Sequence, residues 1–306
     1  MNVGTAISTL RVLTPSPLRA GDTVRFVSPA SSPVREEVLQ RAGILEAWGL
    51  QVDFGEHAFK KLSYLAGTDE ERLSDLNSAF RDPQVRAVFT TRGGKGSYRI
   101  ADGIDFDAVR RDPKFLIGFS DISILHLCLW KHCRLIGVHG GLYNVAGPIG
   151  RENEEALRHV LMTARPIVMQ AREEEPTFAL TTTGSATGRL IGGNLDMIAT
   201  AAGWALPRLD GAILLIEGIG KWQGAIDRPL TMLRKAGHFD GLAGIAIGQF
   251  TSFEFDVVEL LRDHLEHLNV PILGGLPLGH GAEPLSVPIG AKATLDTSSR
   301  ELTIAR

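Results

Sequence analysis

Between residues 23 and 130 the chain alternates short apolar runs with helical segments, and this restricts its first half to a parallel sheet with helices as crossovers. Residues 23–27 (TVRFV) read as a strand and 34–48 as a helix stopped by Gly49. A second strand spans 50–54. Thr68 is placed as the N-cap of a helix over 68–80, with Glu71 at capping-box spacing. Residues 85–90 give a third strand, 97–103 a short helix, and 115–117 a fourth strand leading into a helix over 122–130. Ligands in such sheets bind beyond the strand C-termini, where loops 28–33, 55–67, 92–96 and 118–121 gather.

The second half reads differently. Residues 211–216 (GAILLI) and 244–249 (GIAIGQ) are strands, 228–236 and 255–267 helices, and the strand pair at 286–296 and 300–306 reads as a β-meander with Gly290 between apolar alternations. The expected fold is therefore α/β: an N-terminal, mostly parallel sheet flanked by helices, plus a smaller C-terminal domain, α+β or β-barrel-like. The domains are expected at 1–146 and 186–306, joined by a connecting segment over 147–185. The run Arg172-Glu173-Glu174-Glu175 in that segment reads as a solvated face.

Composition removes several classes of function. The 306 residues are 44% hydrophobic and 22% charged, enough apolar material for real cores. A net charge of −3 gives no electrostatic basis for binding nucleic acid or anionic membrane. No apolar run reaches the length of a membrane span, and the N-terminal stretch lacks the apolar region of a signal peptide. Two cysteines, Cys128 and Cys133, flank a predicted helix end and read as buried thiols. The expectation is a cytoplasmic protein with no metal or cofactor.

The chemistry centres on Ser120. In residues 113–130 (PKFLIGFSDISILHLCLW) a strand turns sharply through Gly118-Phe119-Ser120-Asp121 into a helix. Such a turn exposes a serine hydroxyl and directs the peptide N–H groups after it into the same space. The Asp121 N–H is one candidate oxyanion donor; its side chain is expected to cap the following helix, with the role of orienting acid as the alternative. Arg92-Gly93-Gly94-Lys95-Gly96 lacks phosphate-loop spacing, so Gly94 N–H is read as the second donor.

A serine nucleophile needs a base, usually a histidine oriented by a carboxylate. Of nine histidines, His264 and His267 read as surface residues and His238 as a helix-end residue. His139, in VHGGL, is weighed as a core residue or a support to the site. His280, between glycines in LGHG, is a candidate base. Glu217, at the end of an apolar strand, is costly to bury without a partner; the candidates are a catalytic histidine or an ion pair with Arg228.

RGGKG, PKFLIGFSD, VHGG, GRLIGGNLDMI, LLIEGI, AIDRPLTML, GIAIGQF and LGHGAEPLSVPIGAKATLD occur in one order. As a set, they resemble the LD-carboxypeptidase family, which includes muropeptide LD-carboxypeptidases and microcin C self-immunity peptidases. The resemblance implies a Ser–Glu–His triad falling on Ser120, Glu217 and His280, and an oxyanion hole on backbone N–H groups of Asp121 and the RGG loop. It further implies a site between two domains, often in a homodimer. The implied activity is hydrolysis of the L-centre–D-Ala amide of cell-wall tetrapeptides, serving peptidoglycan recycling. The alternative is cleavage of an acyl-amide in aminoacyl-nucleotide conjugates. Lys95 replaces the usual aromatic, His139-Gly140-Gly141 departs from HGP, Gly218 replaces an acidic residue, and Lys221-Trp222-Gln223 differs as well. Trp222 reads equally as a stacking platform or a packing residue. A lipase-like hydrolase is disfavoured by Phe119 and Asp121 around the serine, and a non-catalytic anion-binding protein is the remaining rival.

Overall fold

The computed structural model describes residues 11–143, 149–220 and 222–305. The expected boundary at 146/147, Lys221 and the first ten residues of the N-terminal stretch lie outside them. Two compact units emerge: residues up to 138 with 161–163 and 205–207, and residues 139–160, 164–204 and 208 onward.

In the first unit the elements are β1 (Thr23–Val27), α1 (Arg35–Ala47), β2 (Gln51–Phe54), α2 (Asp69–Arg81), β3 (Val85–Thr90), α3 (Phe106–Arg111), β4 (Phe115–Gly118), α4 (Ser123–Cys133) and β5 (Gly137–His139). The strands lie in the order β5-β4-β3-β1-β2. β1 pairs in parallel with β2 and β3, and β3 with β4. The capping box forms: the Glu71 N–H donates to Thr68 Oγ1 at 3.2 Å, and the Thr68 N–H to Glu71 Oε2 at 3.0 Å. α4 is apolar almost all round and buried along most of its length, the pattern of a central helix. Phe26 packs against Phe54 and Phe89 with centroids 5.9 and 5.3 Å apart. Such aromatic pairs add about 0.5–1.5 kcal/mol each beyond area burial.

One expectation needs correction here. Residues 97–103 form two 3₁₀ turns, Ser97–Arg99 and Ala101–Gly103, because Gly96 and Gly103 break the α-helical path. The α-helix follows as α3, capped by Asp105, whose carboxylate accepts from the Ala108 N–H at 2.9 Å.

The second unit is α+β. It carries α5 (Arg151–Met162), β6 (Ile167–Gln170), β7 (Ser185–Asn194), α6 (Leu195–Ala201), β8 (Ala212–Ile219), α7 (Gly224–Lys235), β9 (Gly244–Thr251), α8 (Val257–Leu265), β10 (Ile272–Leu273), β11 (Val287–Ile289), β12 (Lys292–Asp296) and β13 (Glu301–Ile304). Seven strands pair in the order β10-β9-β8-β7-β12-β13-β6. The sheet is open, with β10 and β6 at its edges, so of the two expected forms the barrel-like one is not observed. β7, β8, β9 and β10 run parallel, while β12 pairs antiparallel with β7 and β13. The stretch 147–185 is more than a connection, since its β6 pairs with β13.

Candidate active site

In the first unit β4 delivers the chain to Phe119, which is extended, and then to Ser120, whose φ is +63°. A non-glycine residue held in the left-handed region costs about 1–3 kcal/mol and marks a site where surrounding structure imposes the conformation. Ser120 opens a 3₁₀ turn, Ser120–Ile122, that runs into α4. The backbone of Gly93 lies against it: a methyl group there would come within 2.9 Å of Ser120 Cβ. Gly94 has φ +104°, and a methyl on it would sit 2.5 Å from Ser31 Oγ. That hydroxyl accepts from the Lys95 N–H at 3.1 Å, and the Ser31 N–H donates to Gly93 O at 3.3 Å. Among the described residues no hydrogen bond engages the N–H of Gly94 or of Asp121. If the Gly94 N–H serves as an oxyanion donor, Gly94→Ala, which keeps that N–H but cannot hold φ +104° or clear Ser31 Oγ without moving it, should lower kcat by about 10²–10³-fold, the scale of losing one such donor. Steady-state kinetics would check this, with circular dichroism confirming that the fold is kept.

The Asp121 side chain does not cap α4. It is buried, accepting from the Ser97 N–H at 2.8 Å, while Ser97 Oγ donates to Asp121 O at 2.6 Å. Burial pushes its carboxyl up, and the Ser97 bonds oppose that shift. The serine turn and the loop after β3 are thus tied together. Arg72 adds a second tie. Its fully buried guanidinium donates to the carbonyls of Gly96 (2.9 Å) and Pro29 and pairs with Asp69 at 2.5 Å. Sequence reasoning missed Arg72, although a signal existed: it shares the apolar stripe of α2 with Leu76, Ala79 and Phe80.

The second unit brings Glu217 and His280 together. Glu217 is fully buried on β8, and its Oε2 lies 2.7 Å from His280 Nδ1. Its partner is therefore not Arg228, whose guanidinium lies over the Trp222 ring at 5.3 Å. The register of β8 against β9 shifts between Ile216 and Gly218, a bulge at the acid itself. Gly279 has φ +116°, and a methyl there would approach Glu217 Oε2 to 2.7 Å, so only glycine lets the histidine loop pass this close. Gln249 holds the other side of the loop. It accepts from the Gly281 N–H at 2.9 Å and donates to Glu175 at 2.6 Å. The run 172–175 is thus solvated only in part, since Glu175 turns inward to this contact.

His139 ends β5 fully buried, with Nε2 4.0 Å from Glu217 Oε1. Burial pushes its imidazole down from 6.5 to about 4, against the upward pull of Glu217; His280 adds to the lowering. Below about pH 6.5 the unfolded chain binds a proton that the native state refuses. Stability from this group is fully present above pH 6.5 and is lost as pH falls toward 4, on the order of 3 kcal/mol. Urea midpoints at pH 7.5 and 4.5 should therefore differ less in His139→Phe than in the wild type.

Several other histidines have structural partners. His57 Nδ1 lies 2.9 Å from Asp75, His126 Nε2 2.9 Å from Gly118 O, and His132 stacks on Phe106. His264 is buried, contrary to the surface reading, and bonds Asp227 at 2.9 Å. Cys128 and Cys133 are free buried thiols, pushed up to about 12 and 11 by burial, and so remain protonated. Among the described residues no cluster of ligating side chains could hold a metal ion, and no helix is long and apolar enough to cross a membrane.

The first unit thus carries a serine on a strained strand-to-helix turn, and the second a buried Glu–His couple. The sequence matches the LD-carboxypeptidase N-terminal domain over residues 24–140 and the LD-carboxypeptidase C-terminal domain over 187–295, and the chain belongs to the LD-carboxypeptidase family. It is 33% identical over 303 residues to the probable murein peptide carboxypeptidase of Bacillus subtilis, covering 95% of this chain and 93% of that one. To the murein tetrapeptide carboxypeptidase of Pseudomonas aeruginosa it is 31% identical over 287 residues, covering 89% and 92%. The crystal structure of an MccF-like protein from Bacillus anthracis superposes with a TM-score of 0.84 at 26% identity, covering 96% and 99%.

Proposed function

We propose that the protein is a serine carboxypeptidase that hydrolyses the L-centre–D-Ala amide of cell-wall muropeptide tetrapeptides, in peptidoglycan recycling. The observation that carries this reading is the buried 2.7 Å contact between Glu217 and His280 Nδ1. With Nδ1–H donating to the carboxylate, the lone pair of the ring falls on Nε2, the tautomer a general base requires. In the proposed reaction His280 takes the Ser120 proton as Oγ attacks the amide carbonyl, and the Gly94 and Asp121 N–H groups hold the oxyanion. Collapse breaks the C–N bond, His280 protonates the departing D-alanine amine, and water hydrolyses the resulting ester by the same proton route. The names of the Bacillus subtilis and Pseudomonas aeruginosa relatives support the substrate class.

A second reading has one observation in its favour. Trp222 is 59% exposed beneath the Arg228 guanidinium, a surface suited to a planar, anionic group such as a nucleotide. Incubation with a muropeptide tetrapeptide beside an aminoacyl-nucleotide conjugate separates the two. The first reading requires D-alanine release at the higher kcat/KM, and preferential cleavage of the conjugate overturns it. The reading also takes the enzyme to be cytoplasmic, which suits two buried reduced thiols, and homodimeric, which sedimentation at varied concentration would check.

A further inference from the structure

Glu217 has two carboxylate oxygens, and the contact with His280 uses only Oε2. Oε1 is buried and receives no hydrogen bond. A buried carboxylate oxygen without a donor is expensive, and it leaves the carboxylate little reason to keep the rotamer in which its other oxygen faces the base. Facing Oε1, at 4.0 Å, is Nε2 of His139. That separation is beyond hydrogen-bond length, yet in a dry pocket it couples the two groups electrostatically.

The backbone beyond His139 is fixed to hold the ring there. The Gly141 N–H donates to Ser286 Oγ at 3.0 Å, and Asn153 Nδ2 donates to Gly141 O at 3.0 Å and to Pro284 O. The charged or titratable groups that act on His139 are Glu217, from β8, and His280, from the loop after β10.

We infer that His139 is a positioning residue of the Glu217–His280 couple: its imidazole faces the second carboxylate oxygen and keeps the first directed at His280. The inference rests on the reading of that couple as the base of the reaction. A neutral ring suits this task. It offers a dipole to Oε1 without placing a second cation beside the carboxylate to compete with His280 during proton transfer. This accounts for a full-sized histidine where a hydrophobic residue would fill the same volume at lower cost.

The test uses proton NMR of the Nδ1–H that His280 donates to Glu217, a downfield resonance assigned by its loss in Glu217→Gln, together with kcat and KM for D-alanine release. His139→Phe should shift that resonance upfield or broaden it, and lower kcat by about 10–100-fold with KM changed by less than about twofold, the usual effect of losing a supporting group. His139→Gln, which restores an N–H at the same reach, should recover the resonance and most of kcat. A His139→Phe protein that keeps both resonance and kcat overturns the inference, as does a His139→Gln protein that recovers neither. Should the phenylalanine ring prevent folding, His139→Leu, smaller and equally apolar, carries the same expectations. If the wild type releases no D-alanine, the substrate reading fails while the resonance still decides the role of His139.

Discussion

Ser120→Ala is expected to lower kcat/KM for D-alanine release by about 10⁴-fold or more while leaving the fold intact, because the residual rate would come only from substrate binding and the oxyanion donors. The expectation follows from what the structure invests in this residue. Ser120 is held at φ +63°, where a β-carbon is strained, at the junction of β4 and the turn into α4. The Gly93 backbone presses against it from one side, and Asp121 is locked to Ser97 on the other. A packing residue would not need this arrangement. Replacement by glycine separates strain from chemistry. Ser120→Gly should be as inactive as the alanine variant yet more stable by about 1 kcal/mol, since glycine adopts positive φ without penalty. Stopped assays over hours with chemical-denaturation curves would check both halves. A stable Ser120→Ala protein with wild-type turnover would remove Ser120 from the chemistry.

Glu217→Gln carries the second large effect. Glutamine fills the same volume on β8, so the bulge and the strand pairing should persist. Its carboxamide, however, can present an N–H to His280 Nδ1 at the 2.7 Å contact, which moves the imidazole lone pair onto the wrong nitrogen. It also removes the negative charge that, in the proposed mechanism, would stabilise the imidazolium during proton transfer. Together these are expected to reduce kcat by about 10³–10⁴-fold, the scale seen when an orienting carboxylate becomes an amide. KM should change little, because neither effect touches ground-state binding. A kcat loss under about tenfold would mean that the pair serves structure instead.

Much of this was legible from residue patterns. The apolar run Phe115-Leu116-Ile117 leading into Gly118 and Ser120 announces a strand, a tight turn and a buried helix, since β-branched and apolar residues before a glycine leave few alternatives. Glu217 stood out because an acid on an apolar strand demands a partner, and His280 because glycines on both sides allow close approach to another segment. What stayed hidden depends on tertiary contacts. Arg72 sits on the apolar stripe of α2, a sign of burial, but the stripe says nothing of its partners until the fold places its guanidinium under the loops at Pro29 and Gly96. His139 shows only as a histidine after an apolar strand; its relation to Glu217 depends on a residue 78 positions away coming within 4.0 Å. Glu175 belongs to a run whose composition says solvent, and only its pairing with Gln249 reveals otherwise. The β6 strand, four residues long at a sheet edge, is too short for periodicity to register.

The proposal that Ser120 is the nucleophile and His280 its base is tested most directly by covalent labelling. The wild type would be treated with a fluorophosphonate, and the rate of adduct formation followed by intact mass with peptide mapping. The predicted result is a single adduct on Ser120, absent in Ser120→Ala and formed orders of magnitude more slowly in His280→Ala and Glu217→Gln. An adduct on a different residue, or labelling of Ser120 at the wild-type rate in His280→Ala, would contradict it.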